Sequence, residues 1–190
     1  MLQGGIPKAD VACGRSCNDY NHVKFLEGWY VLMCAEVSYA KIEEYPAKAD
    51  RLFKVMMRLE FALKENGYCK DTNRQAAEVD WDGFANACLG ATFFELIKAA
   101  GNVNVLIQTP PKRQSVDRNG LLSWEPVGSV SNIQELIGSL RRVRNNLFHG
   151  GKSGDPDRDR NEALVENALS VVDGILLYDD DLRMMFEGTY

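Results

Sequence analysis

The most regular amphipathic pattern in the chain ends in the stretch Arg141-Arg142-Val143-Arg144-Asn145-Asn146-Leu147-Phe148-His149-Gly150-Gly151-Lys152. It contains four of the 22 lysines and arginines, one of the two histidines and no acidic residue. Leu140, Val143 and Leu147 recur at helical spacing and are predicted to face the core. Two glycines follow, and glycine readily adopts the left-handed conformation that ends a helix. The sequence therefore predicts a packed helix whose last turn forms a cationic corner.

The helical repeat decides which polar side chains of this stretch lie together. Asn145 and His149 are four residues apart and stack on one face, and Arg141 extends that face by another turn. Arg144 lies about 140° around the axis from His149, although its long side chain could still swing toward the same cleft. A guanidinium binds paired phosphate oxygens, and an imidazole exchanges protons near neutral pH. This set of groups is therefore suited to a phosphodiester.

Outward from this stretch, apolar residues at helical spacing predict an all-α chain, an antiparallel bundle of about five main helices. Asp80 or Asp82 is predicted to cap the third helix, and Gly90 inside that helix is expected to allow a close helix contact. Ser131 and Gln134 are typical of a capping box at the start of the fourth helix. The predicted helices cover about 21–45, 47–66, 80–100, 131–149 and 158–178, with a short acidic-capped helix at about 179–186.

Residues 103–130 differ from the helical pattern and predict a small β-like hairpin inserted between helices. Val103–Ile107 and Leu121–Trp124 are β-like, and Asp117–Gly120 is typical of a turn. Lys70–Glu78, earlier in the chain, is predicted to be a loop. A connection as long as the insertion is often functional. A solvated loop is nevertheless favoured over an RNA-contacting flap, although the insertion carries a second basic cluster of Lys112, Arg113 and Arg118.

Length and charge limit the function classes. A chain of 190 residues predicts one domain at 21–190, preceded by a loose arm at 1–20. The net charge of −5 argues against a general nucleic-acid coat protein, but the quoted stretch carries +4 and the rest therefore −9. An acidic body with one basic patch directs a polyanion to that patch. The lack of a long apolar run or a signal-peptide pattern predicts a cytoplasmic protein without a membrane partner.

The cysteines do not form a recognisable metal-binding pattern. The chain has five of them and no Cys-x-x-Cys pair. Cys34 and Cys88 lie in apolar helical patterns and are expected to be small core residues. Cys13, Cys17 and His22 are possible zinc ligands, but their spacing matches no common site and a fourth ligand is missing. A reduced surface segment is therefore favoured there, and no cofactor is predicted.

The string from Arg144 to Lys152 resembles the signature of HEPN domains, an Arg-x4-His motif with a polar residue after the arginine. It looks like the branch found in free-standing prokaryotic proteins, and the resemblance covers most of 21–178. It implies an up-and-down bundle of helices that is commonly a dimer. In many members it implies a metal-independent endoribonuclease, in which the ribose 2′-hydroxyl attacks and leaves a 2′,3′-cyclic phosphate.

The resemblance also implies roles for individual residues. Arg144 would bind and polarise the scissile phosphate, Asn145 would orient the imidazole or the phosphate, and His149 would act as acid or base. Arg141 and Lys152 are expected to contact the RNA. One motif offers one histidine, whereas acid and base steps need two proton-transfer groups. A homodimer whose two motifs face each other is therefore expected.

Other interpretations of the same residues stay open. Basic residues and histidine are common at helix C-termini because of the helix dipole, without any further function. Some HEPN members are inactive RNA- or protein-binding or scaffold modules, which the acidic bulk of this chain favours and the intact motif disfavours. A toxin or defence component held by an antitoxin or regulatory protein is compatible with the nuclease. Glu60 is expected to lie on a solvated helix face rather than to orient Arg144 or His149.

Overall fold

The computed structural model describes residues 38, 40, 45–72, 76–149 and 157–189. These residues form mostly helices with two small antiparallel hairpins, as the predicted all-α fold with a β insertion requires. The predicted arm and nearly all of the predicted first helix lie outside the described residues. The helices are α1 (Ala49–Glu65), α2 (Trp81–Phe84), α3 (Gly90–Ala99), α4 (Asn104–Gln108), α5 (Ile133–Phe148), α6 (Arg158–Tyr178) and α7 (Asp180–Glu187), and the strands are β1 (Cys69–Asp71), β2 (Ala77–Val79), β3 (Arg113–Val116) and β4 (Leu122–Glu125).

The long amphipathic segments form helices close to their predicted bounds, because their apolar stripes enter one core. In α1, Leu52, Met56 and Leu59 are at most 1% exposed. Helix α6 has the predicted bounds, and α7 begins after Asp179, whose carboxylate accepts a hydrogen bond from the Leu182 amide at 2.9 Å. None of the helices that the structure describes is long and apolar enough to cross a membrane. The remaining fully buried large side chains include Leu63, Phe84, Leu89, Leu106, Leu136, Ile137, Leu140, Leu164 and Ile175.

The predicted third helix is interrupted rather than continuous. Asp80 caps α2 as predicted, and its carboxylate accepts from the Gly83 amide at 3.1 Å. A π-helical turn at Ala85–Leu89 then separates α2 from α3. Gly90 stands at this junction with φ of +61°, and an added Cβ would meet no atom within 4 Å. The expected close helix contact is therefore wrong, since glycine is needed here for its backbone conformation.

The predicted insertion contains a hairpin, but the first strand of that hairpin is Arg113–Val116 and not the predicted Val103–Ile107. Leu121–Trp124 is close to β4, which pairs with β3 in the register Arg113 to Glu125 and Val116 to Leu122. Val103–Ile107 is not a strand but largely the short helix α4. Its apolar side chains follow helical spacing, since Val103 and Leu106 are fully buried, and the Val105 amide donates to Asn167 Oδ1 of α6 at 2.9 Å. The predicted loop at 70–78 includes parts of the second hairpin, β1 and β2.

The fourth predicted helix, α5, begins one residue later than its expected capping box. Asn132, not Ser131, is the N-cap, and its side-chain oxygen accepts from the Glu135 amide at 2.9 Å. The Glu135 carboxylate accepts from the amide and the hydroxyl of Ser131 at 2.7 and 2.9 Å. Asn132 and the Glu135 amide thus form one half of a capping box. The returning bond from Glu135 goes to Ser131, the residue before the N-cap, so the predicted box of Ser131 and Gln134 is wrong.

Substitution by alanine is expected to affect the stability of the protein differently at two helical glycines. Gly138 of α5 faces open space, so Gly138→Ala should stabilise the protein by about 0.5–1 kcal/mol through helix propensity. A Cβ on Gly174 of α6 would lie 2.6 Å from Ile97 Cδ1 and 3.6 Å from the Phe93 ring. Because the buried Ile97 side chain must move while the Phe93 ring stays at contact distance, Gly174→Ala should be less stable than Gly138→Ala by about 1–2 kcal/mol. Urea unfolding of both variants measures the difference, and equal midpoints would contradict the packing of α6 against α3.

Candidate functional site

The C-terminal half of α5 brings three of the predicted site residues together. Arg141, Asn145 and His149 line one open cleft of about 410 Å³. Asn145 and His149 are exposed, and the His149 amide closes the last turn by donating to the Asn145 carbonyl at 2.9 Å. The imidazole is therefore outside the hydrophobic core and accessible to a large ligand. The other residues that line the cleft are Arg113, Gln114, Gly138, Arg142 and Asn146.

The cleft concentrates positive charge. Arg113 reaches it from β3, and Arg141 and Arg142 reach it from α5. None of the described residues that line it is acidic, although Arg113 pairs at the surface with Glu125 on the neighbouring strand. Burial lowers the pKa of the Arg142 guanidinium, and the nearby charge of Arg113 lowers it further. An anion in the cleft would relieve this repulsion between like charges.

Packing restricts the position of Arg141. Its guanidinium carbon lies 5.6 Å from the centroid of the buried Trp81 ring. Its Nε is buried and has no hydrogen-bond partner among the residues described. A guanidinium held over an aromatic face gains a cation–π attraction of about 0.5–1 kcal/mol and loses little further entropy when it binds an anion.

The hairpin is anchored to α5 by two residues that the sequence patterns did not predict to be functional. Asn146 is only 3% exposed, and its side-chain amide donates to the Lys112 carbonyl at 3.0 Å. Arg142 Nη1 lies 3.5 Å from the Pro111 carbonyl oxygen. These contacts hold β3 beside α5 and place Arg113 at the cleft. An RNA contact by the insertion stays a prediction. The sequence contains a signal for this role, because Arg142 and Asn146 are four residues apart and so form a row on the helix beside Arg141 and Asn145.

Arg144 is directed away from the cleft. Its guanidinium forms an ion pair with the Glu60 carboxylate of α1, and the two side chains are 29% and 30% exposed. Arg144 lines a separate small cavity of about 100 Å³ with Glu60, Phe53, Met57 and Phe148. Arg144 therefore does not reach the His149 cleft, toward which its long side chain could have swung. The expectation that Glu60 lies on a solvated face is wrong, because its carboxylate is partly buried between α1 and α5 and pairs with the Arg144 guanidinium.

Phe148 lies between the small cavity that Arg144 lines and the cleft that His149 lines. Its ring stacks on Phe53 with centroids 5.8 Å apart and an interplanar angle of 10°. The His149 ring meets Phe148 edge-on, with centroids 5.4 Å apart and an angle of 87°. Phe148 is nevertheless 65% exposed. The aromatic contact gives the imidazole a defined neighbour while leaving it open to solvent.

Several predicted residues fall outside the described part of the chain. These are Lys152, the glycines at 150 and 151, the expected core residue Cys34, and the possible zinc ligands Cys13, Cys17 and His22. Over 45–72, 76–149 and 157–189, no group of three His, Cys, Asp or Glu side chains is arranged to hold a metal ion.

Cys88 is half-buried at the edge of the core rather than enclosed by it. Its thiol donates to Asp179 Oδ2 at 3.1 Å. Burial and this hydrogen bond raise the pKa of Cys88 to about 12. The thiol therefore stays protonated near neutral pH and is a poor nucleophile.

No protein family, curated protein or solved structure matches this chain.

Proposed function

We propose that this protein is a HEPN-type, metal-independent endoribonuclease. The observation that carries the proposal is the exposed His149 imidazole on a cleft that is lined, among the described residues, by three arginines and no acid. Cationic walls attract a phosphodiester strand, and a histidine supplies a proton-transfer group that works near neutral pH. The acidic remainder of the chain disfavours strand binding elsewhere, which directs RNA to this face. A cytoplasmic location, where RNA is abundant, is part of the same proposal.

The proposed reaction is an internal transfer. The ribose 2′-hydroxyl attacks the adjacent phosphorus, the bond to the 5′-oxygen breaks, and the products are a 2′,3′-cyclic phosphate and a 5′-hydroxyl. His149 takes the proton from the 2′-hydroxyl or gives one to the leaving oxygen, and Asn145 orients the imidazole or the phosphate. Arg141 and Arg142 offset the charge that develops on the phosphate oxygens. The second proton-transfer group comes from His149 of a second copy of the chain in a homodimer.

The test uses purified full-length protein and a labelled single-stranded RNA. Cleavage should continue in EDTA, and mass spectrometry should find 2′,3′-cyclic phosphate ends. A 2′-O-methyl strand of the same sequence is the matched control, because it binds through the same phosphates but has no nucleophile. Cleavage that EDTA abolishes, or cleavage of the 2′-O-methyl strand, would contradict the proposed mechanism.

A second candidate is a catalytically inactive RNA- or protein-binding module with the same fold. The observation that favours it is the Arg144–Glu60 ion pair, which keeps the arginine of the motif out of the His149 cleft. Such a module would bind the RNA of the preceding test without forming any product. A toxin or defence role, with an antitoxin or regulatory protein bound near the cleft, is compatible with the nuclease and would appear as inhibition by that partner.

The salt dependence of RNA binding should identify the arginines that contact phosphate. Each such contact contributes about 0.7 to the slope of log K against log salt for a single strand. Arg141→Gln should therefore reduce the slope by about 0.7 and weaken binding without changing sequence preference. Arg118→Gln, in the exposed turn of the same hairpin that carries Arg113, is the matched control and should leave the slope unchanged. If both variants had the same slope of log K against log salt, the RNA strand would not contact Arg141.

A further inference from the structure

A second cavity adjoins the cationic cleft. It has a volume of about 370 Å³, and Gly138 and Arg142 line both spaces. Both volumes fall within the range of about 300–1,000 Å³ typical of small-molecule sites. The remaining wall of the second cavity is formed by Val127, Gly128, Ser129, Val130, Gln134, Glu135 and Ser139.

The two spaces differ in charge. Among the described residues, three arginines and no acid line the cationic cleft, whereas Glu135 lines the second cavity. The amide and the hydroxyl of Ser131 both donate to the Glu135 carboxylate, and these bonds lower its pKa. Glu135 is therefore ionised at neutral pH and repels an anion. A ligand that occupies both spaces places its anionic part between the arginines and an uncharged part beside Glu135.

The second cavity also has an unsatisfied polar group. Ser139 is 1% exposed, and its hydroxyl oxygen has no hydrogen-bond partner within the part of the chain that the structure describes. A buried hydroxyl without a partner loses its hydrogen bonds to water, so most such groups in native proteins are satisfied by protein, water or ligand. Gln134, on the same wall, already donates to Asn86. The Ser139 hydroxyl therefore keeps an unused hydrogen-bonding capacity at the wall of this cavity, and it meets a ligand once it turns toward the open space.

We propose that the two spaces together bind one nucleotide of an RNA strand, with its phosphate in the cationic cleft and its base in the second cavity. The inference rests on the proposed RNA-directed function and adds a base-binding site to it. Arg142, on the boundary, lies beside the bond that joins sugar and phosphate. Ser139 hydrogen-bonds the base edge, and the valine and glycine wall contacts its flat face.

Two variants separate the base site from the phosphate site. Ser139→Ala removes the hydroxyl and should not destabilise the free protein, because that hydroxyl has no partner to lose. Gly138→Leu extends a side chain from a position where an added Cβ meets no atom within 4 Å, and so fills the boundary between the spaces. Gly138→Ala controls for the loss of the glycine itself. Thermal unfolding of each variant verifies its fold.

The experiment compares binding of a single-stranded RNA decamer, an abasic ribose-phosphate decamer and free AMP. The wild-type protein should bind the RNA about tenfold more tightly than the abasic strand, or about 1.4 kcal/mol. Ser139→Ala should lower this ratio about threefold, and Gly138→Leu should bring it near one. Using the ratio removes any effect of a variant on phosphate binding alone.

The other outcomes of the binding comparison distinguish failure of the base site from failure of the proposed RNA-directed function. Equal binding of the RNA and the abasic strand by wild-type protein overturns the base site and leaves the nuclease proposal standing. Free AMP that binds as tightly as the decamer overturns the assignment to an RNA strand and makes this a free-nucleotide site. Failure to bind either strand overturns both the base site and the RNA-directed function.

Discussion

Replacing His149 with alanine should reduce RNA cleavage at least about 100-fold while changing the free energy of unfolding by less than about 1 kcal/mol. General acid–base catalysis by a positioned side chain contributes about 10²–10⁴ to the rate. The stability effect is small because His149 is exposed and its ring contact is the edge of an exposed phenylalanine. Initial rates of RNA cleavage and urea unfolding of the same preparation measure the two effects. Lys98→Ala, which removes an exposed cation on α3, is the control and should alter neither.

The same variant tests whether two subunits share the reaction. Heterodimers of one wild-type and one His149→Ala chain, isolated with two different tags, would contain a single imidazole. If acid and base come from opposite subunits, their cleavage rate should be below about one tenth of the wild-type rate. Heterodimers that keep half of the wild-type activity would show that each subunit acts alone. A protein that stays monomeric in light scattering at micromolar concentration would exclude the shared site.

Elements with long apolar stripes could be predicted from the sequence, whereas short elements could not. Helix α6 has the predicted bounds because 21 residues carry a continuous buried face. Helix α4 has five residues, so its local preference is weak, and the burial of Leu106 and the bond from Val105 to Asn167 decide its conformation. The three-residue strands β1 and β2 have mostly exposed side chains and so show no apolar alternation.

In the candidate site, too, the groups on one helix could be predicted from the sequence, whereas the contacts between elements could not. The grouping of Arg141, Asn145 and His149 follows from the repeat of one helix and needed no tertiary information. The contribution of Arg113 depends on where the hairpin packs, which the buried Asn146 determines. The pairing of Arg144 joins residues 84 positions apart in the chain. Local spacing placed Arg144 about 140° from His149, but the alternative in which Glu60 orients Arg144 could be chosen only from the packing of α1 against α5.

Removing either partner of the Glu60–Arg144 pair should destabilise the protein by about 1–3 kcal/mol. Both side chains are less than one third exposed, so the pair lies between a surface ion pair, worth about 0–1 kcal/mol, and a buried one, whose disruption costs about 3–5 kcal/mol. Arg144 Nε is already buried without a partner among the described residues, which adds to the cost of losing Glu60. The double variant should be no less stable than the worse single variant, because the two groups depend on each other. The exposed Lys98–Glu95 pair is the control cycle, with an expected coupling below about 0.5 kcal/mol.

Cleavage rates of the same variants decide what Arg144 does. If it holds α5 against α1, Glu60→Ala and Arg144→Ala should lower kcat/KM to a similar extent, less than about tenfold, because both loosen the turn that carries His149. If Arg144 instead binds the scissile phosphate, as the HEPN resemblance implies, Arg144→Ala should abolish cleavage while Glu60→Ala preserves or raises it by freeing the guanidinium. We expect the first result, because the ion pair leaves Arg144 lining a different cavity from His149, and Arg141 and Arg142 already supply the positive charge of the cleft.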